Sequence, residues 1–395
     1  MTYSTPCYLY DQKAIINGCR ALQSNLPGIG FLYSVKANPF KPVLRTIAGE
    51  GFGADAASLR EVEISLQSGI KPEDIFYSAP GKTEADIRGA LGRCMLIADS
   101  LHELQLIERI ADEKNTEIEI GIRLYPDFTM DGAPASACKF GIGTEDLPVL
   151  ARLLPDLLHL KIRGIHIHLK SQVLDTGALS GYYLNVMKEA IRIRDLLHIE
   201  LTFVNFGSGI GIVYDPASDR PVDLSRINQA FDSVRKMNQG LNARLLIETG
   251  RFVICKAGRY ITPVIDKKES HGTTFLIVPN GLNGFMRPAI VSLLGKATDL
   301  DTLPGMEPLF TCANEFQVRV LNDASEQERV SVVGNLCTAL DVIAENITVN
   351  KAEIGDLIEI TNAGSYAYSL SPLAFASQDP PGQYLITEEG QWIDN

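Results

Sequence analysis

Polar side chains that could do chemistry stand at the ends of several short, apolar, β-prone runs of this sequence. Lys36 directly follows one such run, Asp55 ends the next, and Glu248 lies near the end of the last. Taken singly, each is as common at a solvated strand end or as a satisfied buried polar group as in a functional site. A lysine whose amine lies inside the protein is stronger evidence for a functional site, because a partly desolvated amine loses its proton more readily and becomes a nucleophile.

Four of the other predicted strands also have polar side chains or glycine at or near their ends. These residues are Asp99, Arg123, His166, His168 and Gly207. In a barrel of parallel strands the carboxyl ends open on one face, and that face holds the active site. Together these residues favour one shared site.

The stretch "NFGSGIGIVYD" indicates an anion-binding loop. Gly207, Gly209 and Gly211 allow the backbone to approach a ligand closely and to offer amide N–H groups to it. A dinucleotide fingerprint is the alternative, but that motif follows an early strand and opens a helix. Here the glycines follow the seventh run, and "ETGR" (248–251) follows the eighth, where barrels commonly bind phosphate.

A phosphate site that faces a strand-end lysine suggests a phosphorylated aldehyde. With a carboxylate at Glu248 on the eighth strand, the interpretation is pyridoxal 5'-phosphate held by Lys36 as a Schiff base. For Lys36 alone, a surface lysine or a structural ion pair is the alternative.

The elements that must position these groups are eight β-prone runs separated by helical segments such as "SLREVEISLQSG". This is the strand count of a (β/α)8 TIM barrel of the α/β class, with a doubly wound sheet as the alternative. The runs are "FLYSV" (31–35), "GFGAD" (51–55), "IFYSA" (75–79), "MLIAD" (95–99), "EIGIRLY" (119–125), "IRGIHIHL" (162–169), "FVNFG" (203–207) and "RLLIET" (244–249).

The predicted secondary structure changes near residue 258, from alternating strands and helices to mostly strands. From there, runs such as "TTFLIV" and "RVSVVG" are mostly β-prone and are separated by Gly, Pro and Asp turns. We therefore predict a barrel over residues 12–257, followed by an all-β C-terminal domain over 258–395 that also takes up about residues 1–11.

Composition excludes several classes of protein. The 395 residues are 45% hydrophobic, which is enough for real cores, and a net charge of -12 argues against nucleic-acid or membrane partners. The N-terminus lacks the pattern of a signal peptide, so we expect a cytoplasmic protein. The seven cysteines form no C-x-x-C pair, and neither a disulfide framework nor a metal site is indicated.

Several motifs, in order along nearly the whole chain, resemble the fold-type III pyridoxal-phosphate decarboxylases of diaminopimelate, ornithine and arginine. "YSVKAN" is similar to the Schiff-base segment of that family, "GADAASLREVE" to its second-strand motif, and "HIHLKSQ" to the segment whose second histidine stacks on the cofactor ring. "GSGIG" occupies the place of the family's usual run of three glycines, and "ETGR" that of its usual Glu-Pro-Gly-Arg. "NAGSYAYS" is similar to the family segment whose tyrosine contacts the phosphate. The resemblance implies an alanine racemase-like barrel with a β-domain.

The resemblance also implies which residues hold the cofactor. They are Lys36, Asp55, Arg123, His168, Ser171, Gly207, Ser208, Gly209, Glu248, Gly250, Arg251 and Tyr366. Lys36, His168 and Glu248 are expected to be catalytic, because a carboxylate beside the pyridine nitrogen favours the protonated, electron-poor ring.

"GNLCTALD" is similar to the family segment that bears a catalytic cysteine, here Cys337. The resemblance implies that Cys337 is supplied by the neighbouring subunit and returns a proton after the carboxylate has left. A homodimer with shared active sites is therefore expected.

Substrate choice is where the sequence departs from the family. Thr338 follows Cys337 where diaminopimelate decarboxylases have a glutamate and ornithine-type enzymes an aspartate, so the partner of a cationic distal group is missing. Arg251 and Arg287 still imply an acidic distal end, while Val291 replaces a usual tyrosine. Tyr366 completes the expected substrate contacts.

The preferred hypothesis is a decarboxylase of an L-amino acid or amino-acid conjugate with an acidic distal end, for example a citryl-amino acid in siderophore biosynthesis. The alternatives are meso-diaminopimelate decarboxylase, a racemase of the same fold, and a regulatory homologue without cofactor. Glu248 argues against the racemase, since those enzymes usually place an arginine at the ring nitrogen. The presence of Lys36, His168, Glu248 and Tyr366 argues against the regulatory homologue.

Overall fold

The computed structural model describes residues 4–130, 135–297 and 316–394. Its strands are β1 (Cys7–Asp11), β2 (Gly30–Ser34), β3 (Gly53–Ala56), β4 (Ile75–Tyr77), β5 (Met95–Ala98), β6 (Ile118–Tyr125), β7 (Ile142–Gly143), β8 (Leu160–His166), β9 (Phe203–Asn205), β10 (Arg244–Thr249), β11 (Gly258–Pro263), β12 (Asp266–Ser270), β13 (Thr273–Val278), β14 (Val318–Val320), β15 (Gln327–Gly334), β16 (Val342–Asn350), β17 (Leu357–Ile360), β18 (Gly382–Ile386) and β19 (Trp392–Ile393).

The helices lie mostly between the strands of the first half. They are α1 (Gln12–Asn25), α2 (Lys41–Gly49), α3 (Leu59–Gln67), α4 (Glu84–Ala90), α5 (Leu101–Glu113), α6 (Leu147–Leu153), α7 (Thr176–Leu197), α8 (Leu224–Asn238), α9 (Arg251–Ile254) and α10 (Met286–Ala297).

Eight parallel strands close into a barrel, which confirms the predicted (β/α)8 fold. Going round the barrel, the order is β2, β3, β4, β5, β6, β8, β9 and β10, and β10 pairs with β2 to close the ring. The short strand β7 pairs only with the end of β6. Each of the eight predicted runs overlaps one barrel strand.

The interior of the barrel is a packed core. Leu32, Phe76, Ile97, Phe203 and Leu246 form an apolar cluster inside it, with the rings of Phe76 and Phe203 edge to face at 5.1 Å. Small residues make room for this layer: a Cβ added at Gly164 would lie 2.1 Å from Phe203 Cζ. The strands are therefore kept rigid below the face that holds the site.

Local sequence signals start two barrel helices. The side chain of Ser58 accepts a hydrogen bond from the backbone N–H of Glu61 at the start of α3, and Ser100 accepts one from Glu103 at the start of α5. Such caps satisfy backbone donors that the first helical turn leaves unpaired.

The rest of the chain forms two further sheets. One has the order β14-β17-β11-β1-β18-β19, and the other the order β12-β13-β15-β16. The first strand of the chain thus lies inside a sheet built otherwise from C-terminal residues, between β11 and β18. The helix α10 interrupts this mostly β region and was not predicted, and the exact domain limits stay a prediction.

None of the helices in the part of the chain that the structure describes has the length and apolarity needed to cross a membrane.

Candidate active site

Lys36 lies on a single helical turn, Val35–Ala37, immediately after β2. Its Nζ is 3.6 Å from Asp55 Oδ2, at the end of the neighbouring strand β3. Asp55 is buried, and its other oxygen, Oδ1, accepts a hydrogen bond of 2.6 Å from Ser78 after β4. Three successive strands therefore fix a carboxylate beside the lysine ammonium.

A C-terminal segment packs against the Lys36 turn. Tyr366 donates its backbone N–H to the carbonyl of Ala37, and the side chain of Asn38 donates to the carbonyl of Gly364. Ser369 Oγ donates to the carbonyl of Lys36 itself. The site is thus built by the barrel and by the segment that follows β17.

Glu248 lies on the last barrel strand, β10, with 4% of its surface exposed. Asn205 Nδ2 donates a 2.9 Å hydrogen bond to Glu248 Oε1, and His166 Nε2 lies 3.0 Å from the same oxygen. Burial would raise the pKa of Glu248, yet the neighbouring His166 and Lys36 outweigh it and hold the pKa well below its usual range. Glu248 is therefore a carboxylate at neutral pH.

His168 lies just beyond β8, and its ring is oriented by one backbone contact. Its Nδ1 accepts a 2.9 Å hydrogen bond from the backbone N–H of Ser208. Burial lowers the pKa of His168 to about 3, against the opposing charge of Glu248. The imidazole is therefore neutral, with its proton on Nε2 because Nδ1 is an acceptor.

The glycine loop is joined to the loop that follows His168. Gln172 holds Ile212 by two bonds, since its Nε2 donates to the carbonyl (2.6 Å) and its Oε1 accepts from the N–H (3.1 Å). Val173 donates its N–H to the carbonyl of Gly209 and accepts from Gly211. The two loops thus pair like short strands, which fixes the course of the backbone past the site.

Two glycines of this loop have conformations that other residues rarely adopt. Gly207 has φ +63°, and a Cβ there would lie 2.6 Å from His168 Cβ. Gly209 has φ +152°, and a Cβ there would lie 2.8 Å from Leu179 Cδ2. The predicted close approach of the backbone therefore depends on glycine at both positions.

One cavity brings together eight of the twelve residues that were predicted to hold the cofactor. Its lining consists of Ser34, Lys36, His168, Ser171, Gln172, Ser208, Ile210, Glu248, Gly250, Arg251 and Tyr366. The guanidinium of Arg251 lies over the ring of Tyr366, 5.3 Å from its centroid. The sequence analysis did not select Ser34, Gln172 or Ile210, and it missed Asn205 behind Glu248.

Arg123 is close to the site but does not line the cavity. Its Nη1 is 3.5 Å from Asp99 Oδ1, and its guanidinium lies 4.4 Å from the centroid of the Phe140 ring. Asp99 in turn accepts a hydrogen bond from the backbone N–H of Gly141. Arg123 therefore ties the end of β6 to the loop beyond it, and a direct contact with the cofactor stays a prediction.

The predicted substrate residues Arg287 and Val291 also lie outside the cavity lining. Arg287 is completely buried, donates to the carbonyl of Ser365 at 3.2 Å, and has a lowered pKa because of its burial. Val291 is half-buried on α10. Their contact with a substrate stays a prediction.

Cys337 and Thr338 lie on a turn between β15 and β16, and Cys337 is exposed. Neither residue lines the cavity of its own chain. The turn is held by buried Asp341, whose Oδ1 accepts from Leu282 N–H at 2.5 Å and whose Oδ2 accepts from Leu336 N–H at 2.8 Å. Cys337 is thus presented to the outside of the chain.

The residues present fit pyridoxal phosphate. Within the described residues, the hydrogen bond to the Glu248 carboxylate goes to Oε1, which leaves Oε2 for a ring N–H. The glycine loop offers a backbone cradle that a Cβ would fill, and Lys36 supplies the amine. Lys36, His168 and Glu248 line the same cavity as Ser208, Gly250 and Arg251.

Comparisons with known proteins agree with this assignment. Residues 12–255 match the family model described as "Pyridoxal-dependent decarboxylase, pyridoxal binding domain". The diaminopimelate decarboxylase of Archaeoglobus fulgidus is 31% identical, and the alignment covers 93% of this chain and 84% of the relative. The L-glutamyl-[BtrI acyl-carrier protein] decarboxylase of Niallia circulans is 28% identical, with 97% and 89% covered.

Solved structures give the same result. The crystal structure of the diaminopimelate decarboxylase of Helicobacter pylori, complexed with L-lysine, superposes with a TM-score of 0.83 at 27% identity. The match covers 99% of this chain and 94% of the other. Both the barrel and the β-rich part are therefore shared with that enzyme.

Proposed function

This chain belongs to the family of pyridoxal-dependent decarboxylases, and we propose that its substrate is an L-amino acid or amino-acid conjugate with an acidic distal end. The enzyme is a carboxy-lyase that uses pyridoxal phosphate. This cofactor supplies an aldehyde that bonds covalently to amines and an electron-poor ring that takes up the electrons left by the carboxylate.

The residues of the cavity divide between holding the cofactor and controlling protons. Lys36 is placed to bond the aldehyde, and Asp55 at 3.6 Å keeps its ammonium close until the bond forms. Glu248, held as a carboxylate, favours a protonated ring nitrogen. Neutral His168 offers a flat, uncharged face on which the ring can stack.

The observation that carries the substrate proposal is the lack of a usable carboxylate on the Cys337 turn. Between Asn335 and Asp341, the one acidic side chain is Asp341, and both of its oxygens accept backbone N–H groups. Thr338 stands where a distal ammonium would need its partner. An ammonium left unpaired in a closed site costs on the order of several kcal/mol, which weakens binding of diamino acids.

One cation in the cavity suits the opposite kind of substrate. Arg251 lines the cavity with its guanidinium over Tyr366, and it is 8% exposed. A guanidinium in such a position can bind a carboxylate by two parallel hydrogen bonds. A distal carboxylate therefore has a cationic partner in the cavity, whereas the Cys337 turn offers a distal ammonium no carboxylate.

One relative supports a conjugated substrate. The Niallia circulans enzyme is named for decarboxylating an L-glutamyl group on an acyl-carrier protein, and it matches nearly the whole length of this chain. A citryl-amino acid of siderophore biosynthesis is likewise a conjugate, and its citryl part gives it an acidic distal end. A cytoplasmic location goes with either substrate.

We further propose a homodimer in which Cys337 serves the partner's site. Cys337 is exposed and outside the cavity of its own chain, so a proton donor at that position has to act in a neighbouring subunit. The same turn would bring Thr338 to the distal end of the substrate.

Diaminopimelate decarboxylase is the second candidate, because several of the relatives act on that compound. Carbon dioxide release should be compared at equal concentration for meso-diaminopimelate, lysine, ornithine, arginine, glutamate, and citryl adducts of serine and diaminopropionate. The proposal expects the acidic compounds to react and the diamino acids to react poorly. Efficient turnover of meso-diaminopimelate would contradict it, and a product that retains its carboxylate would indicate a racemase.

A further inference from the structure

Asn205 connects the two ends of the cofactor site, although it does not line the cavity itself. It is the last residue of β9 and is fully buried. Its Nδ2 donates to Glu248 Oε1 at 2.9 Å, and its Oδ1 accepts the backbone N–H of Gly207 at 2.9 Å. One side chain thus touches the carboxylate at the ring end and the first residue of the glycine loop.

The orientation of this amide is fixed by its neighbours. A backbone N–H can only donate, and an ionised carboxylate can only accept. The oxygen of Asn205 must therefore face Gly207 and its nitrogen must face Glu248. An aspartate of the same shape could serve Gly207 but would place a second negative charge against Glu248.

Backbone bonds lock the same three residues together. Glu248 donates its N–H to the carbonyl of Gly207, and Ile167 donates its N–H to the carbonyl of Asn205. Gly207 adopts φ +63° and cannot relax into an ordinary strand conformation without losing this pairing. A substitution of Asn205 should therefore alter the position of both Glu248 and Gly207.

We propose that Asn205 is a positioning residue that turns Glu248 Oε2 toward the cofactor ring nitrogen and holds the glycine loop in its phosphate-binding course. By donating to Oε1, its amide keeps that oxygen directed away from the ligand. By accepting from Gly207, it fixes the loop that carries Ser208 and Gly209. The proposal rests on the assignment of Glu248 to the ring nitrogen.

Two variants separate the two ends of Asn205. Asn205→Asp keeps the acceptor for Gly207 but replaces the amide donor with a second carboxyl group, so the adjacent carboxylates share one proton and Glu248 offers less negative charge to the ring nitrogen. Asn205→Ala removes both bonds. Thr202→Ala serves as the control, because Thr202 also bonds the neighbouring strand, at the opposite end of the β9 run.

The test measures binding of three compounds to apoenzyme by calorimetry: pyridoxal phosphate, its 1-deaza analogue with C–H in place of the ring nitrogen, and pyridoxal without phosphate. The deaza analogue cannot use Glu248, so wild type should bind it about tenfold to a hundredfold more weakly. In Asn205→Asp this difference in affinity should shrink to about threefold or less, while the difference in affinity between pyridoxal phosphate and pyridoxal is retained. In Asn205→Ala both differences in affinity should shrink, and in Thr202→Ala neither should.

Each other outcome contradicts the proposal. A wild-type preference for pyridoxal phosphate over the deaza analogue that persists in Asn205→Asp would overturn the role of Asn205 alone. A wild type without that preference would also overturn the role of Glu248. Failure of both variants to fold would mean that Asn205 serves the fold rather than the cofactor.

Discussion

Lys36 Nζ lies 3.6 Å from Asp55 Oδ2, while Ser78 holds the other oxygen of that carboxylate. The Lys36 amine is therefore held in an ion pair at the end of the barrel strands, with Lys36 about half exposed and Asp55 buried. An amine in this position is reachable by an aldehyde and has a fixed counter-ion.

The first prediction concerns that amine. Borohydride reduction of the enzyme loaded with pyridoxal phosphate should leave the label on Lys36, because Lys36 is the lysine that lines the cavity. Peptide mass mapping checks the position, and Lys36→Ala should lose the label. Lys41→Ala, five residues away on α2, should keep it, and a label on another lysine in wild type would contradict the site.

A second prediction tests the shared site. Neither Lys36→Ala nor Cys337→Ala should turn over substrate correctly alone, but a mixed dimer has one site with both residues intact. Random mixing of the two variants should restore about a quarter of the wild-type activity, since half of the dimers are mixed and each has one good site. Analytical ultracentrifugation should show the dimer, and no recovery on mixing would mean that Cys337 acts within its own chain or not at all.

Thr338→Glu should change substrate choice. The new carboxylate on the Cys337 turn gives a distal ammonium its partner, so kcat/KM for meso-diaminopimelate should rise by about tenfold or more. The same charge should lower kcat/KM for an acidic substrate. Thr338→Gln is the matched control without charge, and an equal gain in both variants would rule out the electrostatic explanation.

The lowered pKa of His168 should contribute to the pH dependence of the free energy of unfolding. Its pKa is lowered to about 3 in the folded protein, so between pH 3 and pH 6.5 the unfolded chain binds more protons and this group's contribution to the free energy of unfolding rises with pH. That contribution is complete above pH 6.5 and is lost as the pH falls toward 3. In His168→Asn the apoenzyme should lose less stability over this range than wild type, as urea midpoints at successive pH values would show; identical profiles would place His168 in solvent.

Asp341→Asn should loosen the turn that presents Cys337. The two oxygens of Asp341 accept from Leu282 and Leu336, and an amide nitrogen in place of one of them leaves a buried N–H unsatisfied. We expect a loss of about 1–3 kcal/mol in the free energy of unfolding, and slower turnover with unchanged cofactor affinity. Asp266→Asn, whose acceptor bond on β12 is exposed, should change neither quantity; equal effects in both variants would contradict the argument.

Much of the fold could be predicted because two features of the sequence identify the barrel strands. Each is a short β-prone run, and most have glycine or a polar side chain at or next to the end, on the face where a barrel needs polarity. Lys36 and Glu248 could be selected for that reason, and the cavity contains both. The helix α10 was missed because its sequence, "MRPAIVSLLGKA", lies among β-prone runs and has no strong amphipathic pattern.

The rest of the site depends on contacts that no local pattern encodes. Asn205 stands inside a run that predicts a strand, and only the fold places it against Glu248 and Gly207. Gln172 pairs with Ile212 across a separation of 40 residues. Arg287 is an arginine in a plausible motif, yet its guanidinium is buried against the carbonyl of Ser365. A polar residue just before a glycine loop is the signal that could have found Asn205.

The position of β1 has a consequence for the order in which the protein is made. β1 pairs with β11 on one side and with β18 on the other, so Cys7 lies opposite Ile261 and Gly382. A ribosome releases the first strand long before it has synthesised either neighbour, while each barrel strand soon meets the next. Contacts so distant along the chain form slowly. During translation β1 has to wait, with its apolar side chains exposed, until the last strands emerge, and a chain shortened before β18 would leave β1 without one of its two neighbours in the sheet.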